Sequence, residues 1–293
     1  MKKIAVIGSV NMDLTAKAQR HPGRGETVSG RDLRYIPGGK GANQAVAAAR
    51  LGGDVTMFGC VGDDVFAGRL VENLERNGVD VSHICRIPDM SSGIAMITVA
   101  EGDNAIVVIP GANEYVTPAY LEKEKEAILK SDIIVLQNEI PLESVNYAIN
   151  LAGGSGRTII YNPAPVVPLA DGVIEKITFL TPNEHEAALL FPGSGDMDSL
   201  LESHRGRLIL TLGEEGAAAW VDGRTVRIPA RPAKVADTTG AGDTFNGAFA
   251  FALAGGDPVE KALRFANVAA SLSTEQYGAQ GGMPDYRTVL ENL

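Results

Sequence analysis

A chain of 293 residues has room for one large α/β domain or two ordinary ones, and either buries a sizeable core. Its formal charge of −10, from 26 basic and 36 acidic residues, argues against nucleic acid or an anionic membrane surface as a partner, so any phosphate ligand must be held by local groups. Cys60 and Cys85 offer neither a disulfide framework nor a CxxC metal pair, and no run approaches the ~18 apolar residues of a spanning helix, a pattern expected of a reducing cytoplasm.

The first stretch, "MKKIAVIGSV", begins like a leader, but Asn11 and Asp13 end its apolar run early and it reads as a buried strand. Residues 14–35 follow as strands joined by polar turns. "PGGKGANQAVAAARLGG" is then a glycine-rich turn that opens a helix over 42–51, almost all Ala and Val and suited to close burial against a sheet. It is not a GxxxxGK[ST] phosphate loop, because Gly41 follows Lys40 where a hydroxyl is required, and no GxGxxG fingerprint is present. Gly38 and Gly39 instead let the backbone approach a ligand, while Lys40 and Asn43 supply donors at the helix start.

A strand, "VTMFGCVG", and a helix over 65–77 come next, followed by a second helix-free excursion over 84–109. The runs "DIIVLQ", "TIIYN", "ITFLTPN" and "RLILTLG" continue the alternation of strand and helix, and Asp222-Gly223 marks a hairpin in "AAAWVDGRTVRI". The pattern predicts an α/β three-layer sandwich with a mainly parallel central sheet flanked by helices. Residues 1–12, 38–83 and 110–293 would form this core, and 13–37 with 84–109 a small β-sheet lid over its carboxyl edge. Ligands of such sheets sit at the carboxyl ends of strands. There the sequence places Asn11 and Asp13, Asn138 and Glu139, Asn183 and Glu186, and Gly213. Any one of these alone reads as a cap or turn residue; the same pattern after four strands reads as a site.

"DTTGAGDTF" sets Gly240 and Gly242 beside Asp243, just ahead of an apolar helix that stops at Gly255 and Gly256. Asp243 can be read as that helix's N-cap. The glycines favour a second reading, in which the turn holds an anion on unpaired N–H groups and Asp243 takes a proton beside it.

These two glycine-led turns resemble the two signatures of the ribokinase-like (PfkB-type) carbohydrate kinases. "GSVNMD", "PGRGETVSG", "GCVGDD", "LQNEIP", "YNPAP", "TPNEHEA", "TLGEEG" and "YGAQ" occur in the family's order, so the resemblance covers essentially the whole chain. It implies the ribokinase-like fold and ATP-dependent phosphorylation of the 5-hydroxyl of D-ribose. By position, Asp243 would be the base, and Gly240, Ala241 and Gly242 the anion hole for the transferring phosphoryl group. Asn11, Asp13, Gly39, Lys40, Asn43 and Glu139 would hold the sugar. Asn183 and Glu186 would organise Mg2+ and phosphates through water, Thr211 and Gly213 would lie near the nucleotide, and Asn267 near adenine. The resemblance also implies a K+ ion enclosed by Asp237, Thr239, Ser273, Gln276, Gly278 and Gly282, and a homodimer joined through the lid, whose runs "IAMITV" and "AIVVI" would otherwise expose an apolar face. One departure is the compressed stretch 187–207, interrupted at Pro192 and Gly193, which thins the wall expected beside adenine. Deoxyribokinase or another sugar or nucleoside kinase is the alternative within this class. A non-catalytic sugar or nucleotide sensor is the alternative outside it, disfavoured by the presence of Asp243 and its glycine turn.

Overall fold

The computed structural model describes residues 1–168 and 172–293. Six strands, β1 (Lys3–Ile7), β4 (Asp54–Val61), β5 (Asp80–Arg86), β8 (Ile133–Leu136), β9 (Thr158–Tyr161) and β10 (Phe179–Leu180), form a parallel sheet in the order β10-β9-β8-β1-β4-β5. β1 is apolar from Ile4 to Ile7 because both faces of the sheet are covered. Ile4 and Val6 point into one apolar layer, Ala5 and Ile7 into the other.

The first layer is closed by α1 (Lys40–Arg50), α2 (Ala67–Arg76), α8 (Ala241–Ala254) and α9 (Val259–Ser273), through residues such as Val46, Leu70, Phe249 and Leu263, with α10 (Tyr286–Leu290) beyond them. The second is closed by α3 (Pro118–Lys123), α4 (Lys125–Ile128) and α5 (Leu142–Gly154), through Leu121, Ile128 and Val145, together with the short α6 (Glu184–Leu190) and α7 (Met197–Ser203). This is the three-layer arrangement expected from the sequence. Among the described residues no helix is long and apolar enough to cross a membrane.

A separate four-stranded sheet contains β2 (Asn11–Ala18), β3 (Gly30–Gly38), β6 (Gly93–Ala100) and β7 (Asp103–Ile109), ordered β3-β2-β6-β7. Its central pair is parallel and its outer pairs are antiparallel. The expected boundary at residue 84 needs correcting. Ile84, Cys85 and Arg86 pair with Gly59, Cys60 and Val61 in the parallel sheet, and the small sheet resumes only at Gly93. An apolar run such as "ICRI" has the same pattern in either sheet, so only pairing decides. At the other end the small sheet reaches further than expected, since Asn11 and Met12 pair with Gly38 and Pro37.

The run "RLILTLG" also differs from a plain sixth parallel strand. β11 (Ile209–Thr211) opens an antiparallel three-stranded sheet with β12 (Ala217–Val221) and β13 (Arg224–Ile228). Parallel bridges at Leu180↔Leu208 and Asn183↔Thr211 join it to the end of β10. The expected hairpin turn is present, with Asp222 and Gly223 both left-handed at φ 49° and 81°.

Candidate functional site

The site is assembled where β1 and β8 end and α1 and α8 begin. Gly39, at φ 89°, turns the chain from β3 into α1 so closely that a Cβ there would lie 2.8 Å from the Asn11 N–H nitrogen. The Lys40 N–H then donates to Glu139 Oε2 at 3.0 Å, and Ser9 Oγ donates to the same oxygen at 2.6 Å. Glu139 Oε1 has no protein donor among the described residues and keeps its full accepting capacity. Asn11 is oriented in the opposite sense. Its Oδ1 accepts from Asn113 Nδ2 at 2.7 Å, and Asn113 Oδ1 accepts from the Val10 N–H at 2.9 Å, so Asn11 presents its amide N–H groups. Asn11, Lys40, Asn113, Glu139 and Glu186 line one cavity of about 680 Å³.

Across from them, α8 starts at Gly240, the N-cap, held at φ 78°. A side chain there would meet the Ala279 backbone at 2.8 Å as well as the left-handed strain. Asp243 is the third residue of α8, so it is not the cap. The N–H groups of Gly240, Gly242 and Asp243 have no acceptor among the described residues, whereas that of Ala241 donates to Thr238 O at 3.2 Å. A helix N-terminus with unpaired N–H groups is an anion site by construction.

Asp243 is buried, at 6 % exposure, and both its oxygens are engaged: Asn43 Nδ2 donates to Oδ2 at 2.9 Å and Gln44 Nε2 to Oδ1 at 3.0 Å. The two helices can approach because α8 carries Gly247, where a Cβ would lie 2.5 Å from Gln44 O. Asn43 is held in turn by Gln280 Nε2, which donates to its Oδ1 at 3.0 Å.

Charge is concentrated here. The Asp243 carboxylate, with Glu139 and Glu186 behind it, raises the Lys40 ammonium above its ordinary pKa against the opposing effect of burial. Burial, then Glu139 and Asp243, push the Asp13 carboxyl up to about 7. Four carboxylates and one ammonium close enough to act on one another, with Glu139, Glu186 and Lys40 lining the cavity, suit a ligand with several hydroxyls next to a phosphate.

The remaining expected residues fall into three groups. Asn183 caps α6 and forms a reciprocal capping box with Glu186, Oδ1 accepting the Glu186 N–H at 2.8 Å and the Asn183 N–H donating to Glu186 Oε2 at 2.9 Å. Thr211 is joined to them, its N–H donating to Pro182 O at 3.0 Å, and Gly213 follows at φ 54°. Asn267 is buried between α9 and β13, where its Nδ2 donates to Ile228 O at 2.8 Å, and it does not line the cavity. Asp237 links two loops: its Oδ1 accepts from Thr239 N–H and Oγ, and its Oδ2 from the Gly278 N–H at 2.9 Å. Burial raises the Asp237 pKa, but these donors outweigh it and hold the carboxyl below its usual value. Gly282 packs against Ser273 O in the same region, while the Ser273 hydroxyl donates to Ala270 O and Gln276 is exposed. Among the described residues no group of three or more His, Cys, Asp or Glu could hold a metal.

Several participants were not singled out in the sequence, although all but Asn113 lie within its quoted motifs. Ser9, Gln44, Asn113, Gln137, Asn162 and Gln280 form the hydrogen-bonded bed beneath the expected residues. Asn138, whose place was open, lines the cavity with its amide braced by the protein: its Nδ2 donates to Pro165 O at 2.8 Å and its Oδ1 accepts from the Tyr161 hydroxyl at 2.6 Å.

Known proteins resemble this chain over nearly its whole length. A ribokinase of Bacillus subtilis (strain 168) is 48 % identical over 293 residues, covering 100 % of both chains. A deoxyribokinase of Salmonella typhi is 37 % identical over 300 residues, covering 99 % of this chain and 98 % of its own. The structure of Arabidopsis thaliana ribokinase complexed with ribose and ATP superposes with a TM-score of 0.90 at 32 % identity, covering 99 % and 98 % of the two chains. The model of the pfkB family of carbohydrate kinases matches residues 1–286, so the chain belongs to that family.

Proposed function

We propose that this protein transfers the γ-phosphoryl group of ATP to the 5-hydroxyl of D-ribose. The observation that carries the reading is the pairing at the start of α8 of unpaired N–H groups with a buried carboxylate, whose charge acts on Lys40, a residue that lines the cavity together with Glu139. Asp243 accepts the proton of the attacking hydroxyl, and the N–H groups of Gly240, Gly242 and Asp243 stabilise the charge on the transferring phosphoryl oxygens. Ala241 shapes this turn without donating to it, since its N–H is engaged by Thr238. Lys40 neutralises phosphate charge beside the sugar. Asn11 and Asn43 donate to sugar oxygens, while Asp13, Gly39 and Glu139 border the sugar and accept from its hydroxyls. Asn183, Glu186, Thr211 and Gly213 lie on the phosphate side, and Asn267 supports the adenine end from behind. The β2-β3-β6-β7 sheet acts as a lid over this site, and the protein works in the cytoplasm.

Mg2+ fits the phosphate side, because the capping box leaves Glu186 Oε1 uncommitted and Mg2+ keeps most of its waters. When bound it neutralises phosphate charge. The test of the substrate reading is an assay of ADP release across ribose, 2-deoxyribose, xylose, fructose and adenosine. With 2-deoxyribose, buried groups around Asp13 would lose a partner, so kcat/KM is expected to fall by about ten-fold or more relative to ribose. Equal values would replace ribose with a broader pentose specificity, a reading favoured by the deoxyribokinase relative.

Two finer features belong to the same reading. Met96, Ile106, Val107 and Val108 are 51–62 % exposed on β6 and the edge strand β7. A homodimer joined through these sheets would cover them. Light scattering at micromolar concentration should give twice the monomer mass; a monomer would contradict it. K+ would sit between the Asp237–Thr239 turn and the 273–282 segment on backbone and hydroxyl oxygens, since the Asp237 carboxylate already accepts three donors. Replacing Na+ by K+ at constant ionic strength should raise the rate several-fold, and Asp237→Ala should flatten the response. Identical rates in both salts would mean that the loops brace each other without an ion.

A further inference from the structure

We propose that Gln44 is a positioning residue that aims the Asp243 carboxylate, through an amide relay that begins at Gln137. The inference rests on Asp243 as the base. Gln44 lies on α1, is fully buried, and does not line the cavity. Its Oε1 accepts from Gln137 Nε2 at 2.7 Å, and its Nε2 donates to Asp243 Oδ1 at 3.0 Å and to Asn162 Oδ1 at 3.2 Å. Both of its N–H groups are therefore engaged. Turning this amide over would set Oε1 against the oxygens of Asp243 and Asn162 and the NH2 against that of Gln137, breaking all three bonds at once.

The direction of the relay is set from the sheet. Gln137 follows β8, Asn162 follows β9, and Asn162 Nδ2 donates to Thr181 O, just after β10, at 3.3 Å. Three consecutive strand ends thus fix one amide, which fixes one oxygen of the base. The opposite oxygen is fixed from the C-terminal loop, where Gln280 holds Asn43. Each arm presents an N–H to the carboxylate, so neither oxygen can swing away without losing a partner in a buried site.

A packing role does not account for Gln137. Its Oε1 is buried without any donor among the described residues, which is destabilising, and methionine would fill a similar volume without that oxygen. Retaining a glutamine here makes sense if its N–H orients Gln44. A base must lie within about 2.6–3.2 Å of the proton it takes, so a loosened carboxylate lowers turnover while leaving contacts to sugar and nucleotide in place.

The experiment is to measure kcat, both KM values and Tm for Gln44→Met, Gln137→Met and Asp243→Asn in parallel. Gln44→Met is expected to lower kcat by about ten-fold or more with both KM values within about two-fold of wild type. Gln137→Met is expected to lower kcat several-fold with Tm near that of the wild type, because it removes the orphaned Gln137 Oε1 but leaves Gln44 Oε1 without its donor. A kcat within about two-fold of wild type in either folded variant, or a loss carried in KM, would overturn the relay. Gln137→Met decides alone if Gln44→Met fails to fold. Inactive Asp243→Asn beside fully active Gln44→Met and Gln137→Met overturns the relay only; wild-type kcat in Asp243→Asn overturns the base assignment itself.

Discussion

Asp243→Asn is expected to lower kcat by ~10²-fold or more while ADP still binds with near wild-type affinity. The substitution conserves shape and leaves the Gly240 cap and the free N–H groups of α8 in place, so the anion site persists. It removes the proton acceptor. It also turns an NH2 toward either Asn43 Nδ2 or Gln44 Nε2, each of which donates to the carboxylate in the wild type, so one buried donor loses its partner and a modest fall in Tm accompanies the loss of rate. Isothermal titration with ADP and a steady-state assay separate the two effects. Turnover within a few-fold of wild type would return Asp243 to a purely structural place under α1.

The second large effect is at Asp13. Its folded pKa is raised from 3.8 to about 7 by burial, Glu139 and Asp243, so between those values the folded protein holds a proton that the unfolded chain has released. Stability therefore falls as pH rises through this window, and the full penalty is present above about 7. Asp13→Asn removes the penalty: the variant is expected to melt above the wild type at pH 8, with the difference shrinking towards pH 4. Function moves the other way. In the proposed site an ionised Asp13 would accept from the sugar, so the wild-type KM for the pentose should fall as pH rises through about 7, whereas the variant should bind pentose ~10²-fold more weakly at every pH. A wild-type Tm that is flat between pH 5 and 8, or unchanged pentose affinity in the variant, would contradict this.

Much of this arrangement is legible in the sequence because it is local. The two glycine-led turns each precede an Ala-rich helix, and the polar residues after β1, β8 and β10 follow apolar runs, so spacing alone locates Asn11, Lys40, Glu139, Asn183 and Asp243. What spacing does not carry is pairing between distant segments. Gln44 sits one residue from Asn43 in the same motif, yet its importance depends on Gln137 and Asn162, which are 93 and 118 residues away. The lid boundary failed for the same reason, since β5 is assigned by its partner β4 and not by its own composition. Ala241 looks equivalent to its flanking glycines until the turn is closed by Thr238.

The most direct test is to incubate the protein with ATP, Mg2+ and D-ribose and to identify the product by 31P and 13C NMR alongside ADP release. A base at Asp243 beside a phosphoryl site at the start of α8 predicts D-ribose 5-phosphate in one-to-one ratio with ADP, and no product from the Asp243→Asn variant on the same timescale. Phosphate on another hydroxyl, or ADP release without sugar phosphate, would contradict it.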